Sequence, residues 1–244
     1  MKNLLQAALI FGLIISATAI AGPADYVYVP AVQYGEREID FKYGRDLQLA
    51  GNSTEVTSIG FGYGAKDYWF TEFYLKWEHG GNTEVSLAEW ENKFQLTETG
   101  QYPVDVGLIV EFEAPLNDGS EPYEFKLGPL FQSEFGKFQL NGNLLFERKF
   151  SGGGGPYSTE FGYQLQAKYR WQSHLEFGLQ AFGEMGKWND WEKQADQNRR
   201  IGPAIFGKFS LGHRQAVKYN AAWLFRSSNA APGHTFRMQV EYEY

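Results

Sequence analysis

From His234 to its last residue the chain reads HTFRMQVEYEY, and every second residue changes character. Phe236, Met238, Val240, Tyr242 and Tyr244 are apolar or aromatic, while Arg237, Gln239, Glu241 and Glu243 between them are polar or charged. A period of two belongs to a β-strand, whose successive side chains point to opposite faces. The same alternation recurs throughout. Ile39, Phe41 and Tyr43 alternate with Asp40 and Lys42; Val104, Val106, Leu108, Val110 and Phe112 line one face of a middle segment. In all, about twelve such segments follow one another, each close to the length a tilted strand needs to cross hydrocarbon. One of them breaks phase. Val85 and Leu87 fall out of step with Trp90, Asn92, Phe94 and Leu96, which predicts a β-bulge near Ala88–Glu89.

The polar faces are too rich in charge to form the core of a soluble sandwich, whose inner face is apolar. The apolar face therefore points outward, into lipid. A sheet in lipid has to close on itself, because an open edge would strand unpaired amides in hydrocarbon. The expected fold is all-β, a transmembrane antiparallel up-and-down β-barrel of about twelve strands, formed by residues 37–244. Aromatic residues at 17% and 28 glycines fit that expectation, and the absence of cysteine removes disulfides and thiolate metal sites.

The beginning of the chain gives the compartment. Met1-Lys2-Asn3 is short and cationic, Leu4 to Ile15 is nearly unbroken apolar sequence, and Ala19 and Ala21 fit a cleavage site. Residues 1–21 are read as a secretory signal peptide, too short for a membrane anchor. The protein is expected in the outer membrane of a Gram-negative bacterium. Residues 22–36, PADYVYVPAVQYGE after Gly22, precede the first alternating strand. They are read as a periplasmic lead or a short plug, with the lead favoured.

Connections alternate in length. GAKD, TETGQY, GK, WQSH and LGHRQA are short, as periplasmic turns are, whereas APLNDGSEP, SGGGGPYS and GKWNDWEKQADQN are longer, as extracellular loops are. The last of these carries Trp188 and Trp191, read as interface tryptophans on a solvated loop. The stretch Ser151–Gly155 is glycine-rich, but no helix and lysine follow, so it is a hairpin tip rather than a phosphate loop.

The polar faces give a candidate lumen. Its acids are Asp40, Glu72, Glu91, Asp105, Glu111, Glu134, Glu147, Glu176 and Glu241; its bases are Lys42, Lys76, Lys93, Lys126, Lys168, Arg170, Arg200, Lys208, Lys218, Arg226 and Arg237. The two sets nearly balance, so no ring of one sign fixes ion selectivity. Twelve strands stand between small filled barrels and open porins. Net charge of −7 with no basic run excludes nucleic acid as a partner. Histidines 79, 174, 213 and 234 form no catalytic set with Ser227 or Ser228, and no G-x-S-x-G occurs. No cofactor and no metal site is expected. The expected partners are outer-membrane lipid and lipopolysaccharide, a small solute, and the barrel-assembly machinery through the aromatic strand 236–244.

The stretches WENKFQLTETGQYPVDVG (Trp90 to Gly107) and GPAIFGKFSLG…KYNAAWLF (Gly202 to Phe225) resemble uncharacterised proteobacterial outer-membrane proteins. They are loosely similar to the outer-membrane transporters of the phenol-degradation meta-pathway type. The resemblance implies the outer-membrane channel class and assigns no substrate or catalytic residue. The expected function is a narrow passive channel for small solutes or ions. A barrel filled by its own salt bridges is the alternative, and a lipid-modifying enzyme the third.

Overall fold

The computed structural model describes residues 22–49, 51–81, 83–117, 121–152 and 157–244. The expected signal peptide, residues 1–21, lies outside the described residues, as does most of the Ser151–Gly155 tip. Twelve long strands form one antiparallel sheet: β1 Arg37–Leu47, β2 Thr54–Lys66, β3 Trp69–Gly80, β4 Thr83–Gln95, β5 Asp105–Pro115, β6 Tyr123–Phe135, β7 Phe138–Phe150, β8 Thr159–Gln172, β9 Leu175–Lys187, β11 Asn198–Gly212, β12 Gln215–Arg226 and β13 His234–Glu243. A two-residue strand, β10 (Asp190–Trp191), folds back on the end of β9. Each long strand pairs with its sequence neighbour, and β13 pairs with β1 from Glu38↔Glu243 to Leu47↔His234. That last pairing closes the barrel.

Burial is inverted relative to a soluble domain. Asp40, Lys42, Glu72, Glu91, Glu111 and Arg237 are buried, while Phe41, Phe61, Phe73, Trp90, Leu165 and Trp223 are exposed. Hydrocarbon around the barrel resolves this, because it accepts the apolar face that water would reject. Clustered aromatics mark both ends of the outer face. Phe112, Tyr123 and Phe150 cluster at one end, Phe135, Phe138 and Tyr169 at the other. Belts of this kind sit at membrane interfaces.

One end of the barrel has four two-residue turns, at 67–68, 136–137, 173–174 and 213–214. The fifth connection there is longer than its sequence suggests. TETGQY lies within a nine-residue link, 96–104, tied back by Gly100 N–H donating to Asp105 Oδ1 at 2.8 Å and Val106 N–H to Thr97 Oγ1 at 2.8 Å. The opposite end carries the longer loops, apart from the two-residue link between β3 and β4.

The bulge expected near Ala88–Glu89 does not form. Pairing of β3 with β4 runs unbroken from Trp69↔Phe94 to Gly80↔Thr83. Val85 and Leu87 keep step with Glu89 and Glu91 and point inward, where they border the same cavity as Ala24 and Tyr26. The register shifts lie elsewhere, between β2 and β3 at Gly64/Lys66, between β8 and β9 at both ends, and at Ser210/Gly212.

The interior is occupied by a further stretch of chain. Residues 22–36 are threaded through the barrel rather than lying below its rim. Val27 packs with Phe182, Ala204, Phe206, Ala222 and Leu224 on one wall, and Tyr28 with Ile109, Leu130 and Leu145 on the other. Glycines in the wall make room for it. A Cβ on Gly44 would stand 2.1 Å from the Pro23 carbonyl carbon, and one on Gly64 would stand 2.0 Å from the Gln33 oxygen. The segment therefore enters near the loop end and leaves at the tight-turn end, where Gly35 N–H donates to Gly64 O and Gly64 N–H to Glu36 O.

Candidate channel lumen

Lys42 stands at the middle of the lumen. Its Nζ lies 3.8 Å from the centre of the Tyr26 ring and 3.5 Å from that of Tyr74, with Asp40 Oδ2 at 3.7 Å. An ammonium held between two aromatic faces away from water gains about 2 kcal/mol from such contacts. Asp40 Oδ2 also accepts from Tyr74 OH and Gln239 Nε2, each at 2.8 Å. The threaded segment joins this network through its tyrosines. Tyr26 OH donates toward both oxygens of Glu91, at 2.9 and 2.8 Å, and Tyr28 OH donates to Glu111 Oε2 at 2.9 Å. Both hydroxyls act as donors, because a carboxylate beside each offers only acceptors.

Its backbone is held as well. Val32 N–H donates to Gln95 Oε1 at 2.7 Å. In the orientation that satisfies both groups, the Asn143 carboxamide accepts from Tyr28 N at 2.8 Å and donates to Tyr28 O at 3.2 Å. Buried backbone groups need such partners, and the segment has no strand pairing of its own to supply them.

The walls differ in chemistry. On β3–β7 the ion pairs are dense: Lys76 with Glu89 and Glu113, Lys126 with Glu111 at 2.9 Å and Glu147 at 3.6 Å. Across β6–β9 the wall becomes a ladder of amides. Gln139 and Asn141 both donate to Gln132 Oε1, Gln166 to Asn141, and Gln180 to Gln166. Arg237 Nη1 ends the ladder on Gln180 Oε1 at 2.6 Å.

Two cavities lie on either side of the threaded segment. The one toward the loop end has a volume of about 410 Å³ and is bordered by Asp25, Tyr26, Lys76, Glu113, Lys126 and Glu147. The one toward the tight-turn end has about 620 Å³ and is bordered by Val29, Val32, Lys93, Lys168, Lys218 and Glu241.

The remaining lumen candidates fall into three groups. Lys168 pairs with Glu176 at 3.1 Å, Lys208 with Glu243 at 2.7 Å, Lys218 with Glu241 at 2.6 Å, and Arg200 with Asp46 at 3.2 Å, all on the inner face. Lys93 lies over the Phe70 ring at 5.0 Å and Glu72 is buried nearby. Glu134 and Arg170 pair at the tight-turn rim, each about 40% exposed; Asp105 anchors the 96–104 link, and Arg226 is exposed at the loop end. Several inner residues escape the sequence pattern. Glu89 is hidden by the bulge assigned beside it, and Glu113 lies beyond the clearest part of its strand. Phe70 is an aromatic residue at the start of a polar face, and Tyr26 and Tyr28 belong to no strand. Parity counted back from Lys93 would have found Glu89.

No serine–histidine contact occurs among the described residues. Ser227 Oγ donates to Arg199 O at 3.1 Å and Ser228 Oγ accepts from Arg199 N–H at 2.9 Å, while His79 faces Glu84 at 3.5 Å. These serines brace a loop.

The fold is that of outer-membrane β-barrels. The chain is similar to the COG4313 outer membrane channel from Pseudomonas putida F1, at 13% identity over 90% of this chain and 98% of that one, with a TM-score of 0.63. It is also similar to the KdgM porin, at 8% identity over 85% and 98% of the two chains and a TM-score of 0.53. The translocator domain of autotransporter NalP from Neisseria meningitidis gives 10% identity over 87% and 88%, with a TM-score of 0.52. At these identities the likeness concerns architecture. No family model and no curated protein matches the sequence.

Proposed function

We propose that this barrel is a narrow passive channel of the outer membrane for small solutes or ions, and that residues 22–36 are its plug. The observation that carries this reading is the pair of cavities, about 410 and 620 Å³, both bordered by Tyr26 of the threaded segment. The segment has no strand or helix of its own and is fixed by side chains at Glu91, Glu111, Gln95 and Asn143. A strand of the barrel cannot leave without opening the sheet; this segment can move with the sheet intact. By the usual asymmetry of such barrels the tight-turn end faces the periplasm. The apolar outer face meets lipid and lipopolysaccharide, and Phe236–Tyr244 is the strand offered to the assembly machinery.

The filled-barrel alternative has support in the occupied waist, where aromatic rings and ion pairs meet from wall to wall. Planar-bilayer recording separates the two. The chain from Gly22 onward is expected to give small, intermittent steps, and a chain lacking residues 23–33 larger and steadier ones. Silence from both, with folding verified by heat-modifiable mobility, would leave a structural barrel.

A further inference from the structure

Arg237 is 1% exposed, and no acid lies within ion-pair distance of it among the described residues. Its position pairs with Ala222, which pairs in turn with Ala204, and these two small side chains let the guanidinium lie across two strands to β9. There it stands over the Phe182 ring, 5.4 Å from the ring centre, and Nη1 donates to Gln180 Oε1 at 2.6 Å. Gln180 Nε2 donates to Gln166 Oε1 at 2.8 Å, which keeps the Gln180 oxygen turned toward Arg237. Nε and Nη2 have no hydrogen-bond partner among the described residues. Those two nitrogens form one edge of the guanidinium, the kind of edge that takes a carboxylate through two parallel bonds. A ring and an amide hold the fork in place, and its donors are unused. A buried charge without a partner is costly, so an arriving carboxylate gains most here.

The threaded segment covers this fork. Val27 packs on Phe182 and Ala222, the ring beneath the guanidinium and the residue beside it in register. The acid that acts most strongly on Arg237 is Asp25 of the same segment, from beyond ion-pair distance. On another wall, Glu91 is 2% exposed and takes its only side-chain hydrogen bonds, among the described residues, from Tyr26 OH. Residues 25–27 therefore mask a cationic fork on β13 and a carboxylate on β4, and both open together when the segment moves. Tyr26 borders both cavities and Val27 the one toward the tight turns, so a solute can stand beside the mask on either side.

We propose that Arg237 and Glu91 bind a small solute carrying both a carboxylate and an ammonium group, of the aminoalkanoate class, in place of residues 25–27. Its carboxylate takes the Nε–Nη2 edge of Arg237, and its ammonium meets Glu91. The solute thus supplies what the segment withdraws, the negative charge of Asp25 and the donor of Tyr26. Being neutral overall, it also escapes the repulsion that the acidic walls would exert on an anion. The inference rests on the reading of residues 22–36 as a plug and adds the class of solute.

The test is limited proteolysis of the chain from Gly22 onward, refolded in detergent, with rising 6-aminohexanoate, hexanoate or hexylamine. The last two each carry one of the two charges. 6-Aminohexanoate is expected to speed cleavage within residues 22–36 in a saturable way, and the other two at equal concentration are not. Arg237→Gln and Glu91→Gln should each raise the half-saturating concentration at least about tenfold, as removing one partner of a buried charge pair does. Glu134→Gln at the rim should leave it unchanged. Heat-modifiable mobility checks folding; if Arg237→Gln fails that check, Arg237→Lys, which keeps the charge without the edge, replaces it. Cleavage indifferent to 6-aminohexanoate overturns the proposal. So does an equal response to hexanoate or hexylamine, or a response unchanged in the Arg237 and Glu91 variants. Saturable acceleration in a barrel that stays silent in planar bilayers would retain the site and remove the channel reading.

Discussion

Tyr26 shows how much a single side chain carries. Its ring covers the Lys42 ammonium and packs 4.7 Å from Tyr28, and its hydroxyl satisfies Glu91, a residue 2% exposed. Replacing it with Phe keeps the ring and removes the donor. A buried carboxylate left short of a partner costs about 1–3 kcal/mol, so Tyr26→Phe should loosen the segment while barrel closure survives. The expected outcome is faster proteolysis within residues 22–36 and unchanged heat-modifiable mobility. Proteolysis at the parental rate would show that the apolar contacts of Val27 and Tyr28 hold the segment alone. Charges on the inner face, such as Lys42 and Glu111, were legible from alternation. Tyr74 shares that face with Glu72 and Lys76 in the same alternation, whereas Tyr26 and Tyr28 were not legible, because an aromatic residue outside a strand carries no period.

Strands were the legible elements, since period two survives wherever one face meets lipid and the other does not. The expected bulge at Ala88–Glu89 failed for a physical reason. Val85 and Leu87 are apolar on the inner face, bordering the cavity that Ala24 and Tyr26 of the threaded segment also border, and two apolar residues on that side mimic a change of phase. Turns were less legible. The turn between β11 and β12 places two ordinary residues at positive φ, His213 at 47° and Arg214 at 68°. The left-handed region costs a non-glycine residue roughly 1–2 kcal/mol, and hairpins with positive φ at both central positions favour Asn-Gly. The double change His213→Asn/Arg214→Gly should therefore stabilise the barrel by about 1 kcal/mol, seen as a higher urea midpoint for loss of heat-modifiable mobility. A lower midpoint would mean that the His174–Phe209 ring contact, 6.3 Å apart at this rim, depends on the present turn.

At the scale of the whole molecule the lumen is two-sided, and its charge decides what an open pathway would admit. Alternation suggests near balance because it picks out the bases more completely than the acids. Glu38, Glu89, Glu113 and Glu243 also face inward, whereas Arg226 lies at the rim and Arg170 is half-exposed with its own partner. The amide wall across β6–β9 adds no sign of its own, so the carboxylates of β1–β5 set the field. A low-dielectric wall focuses such a field into the pathway. With residues 23–33 removed, the pore is expected to prefer cations, and a salt gradient across a planar bilayer should give a reversal potential of the corresponding sign. The preference should weaken as salt rises, because screening shortens the reach of wall charges. An anion preference would mean that Lys42, freed from the Tyr26 ring, outweighs the acids around it.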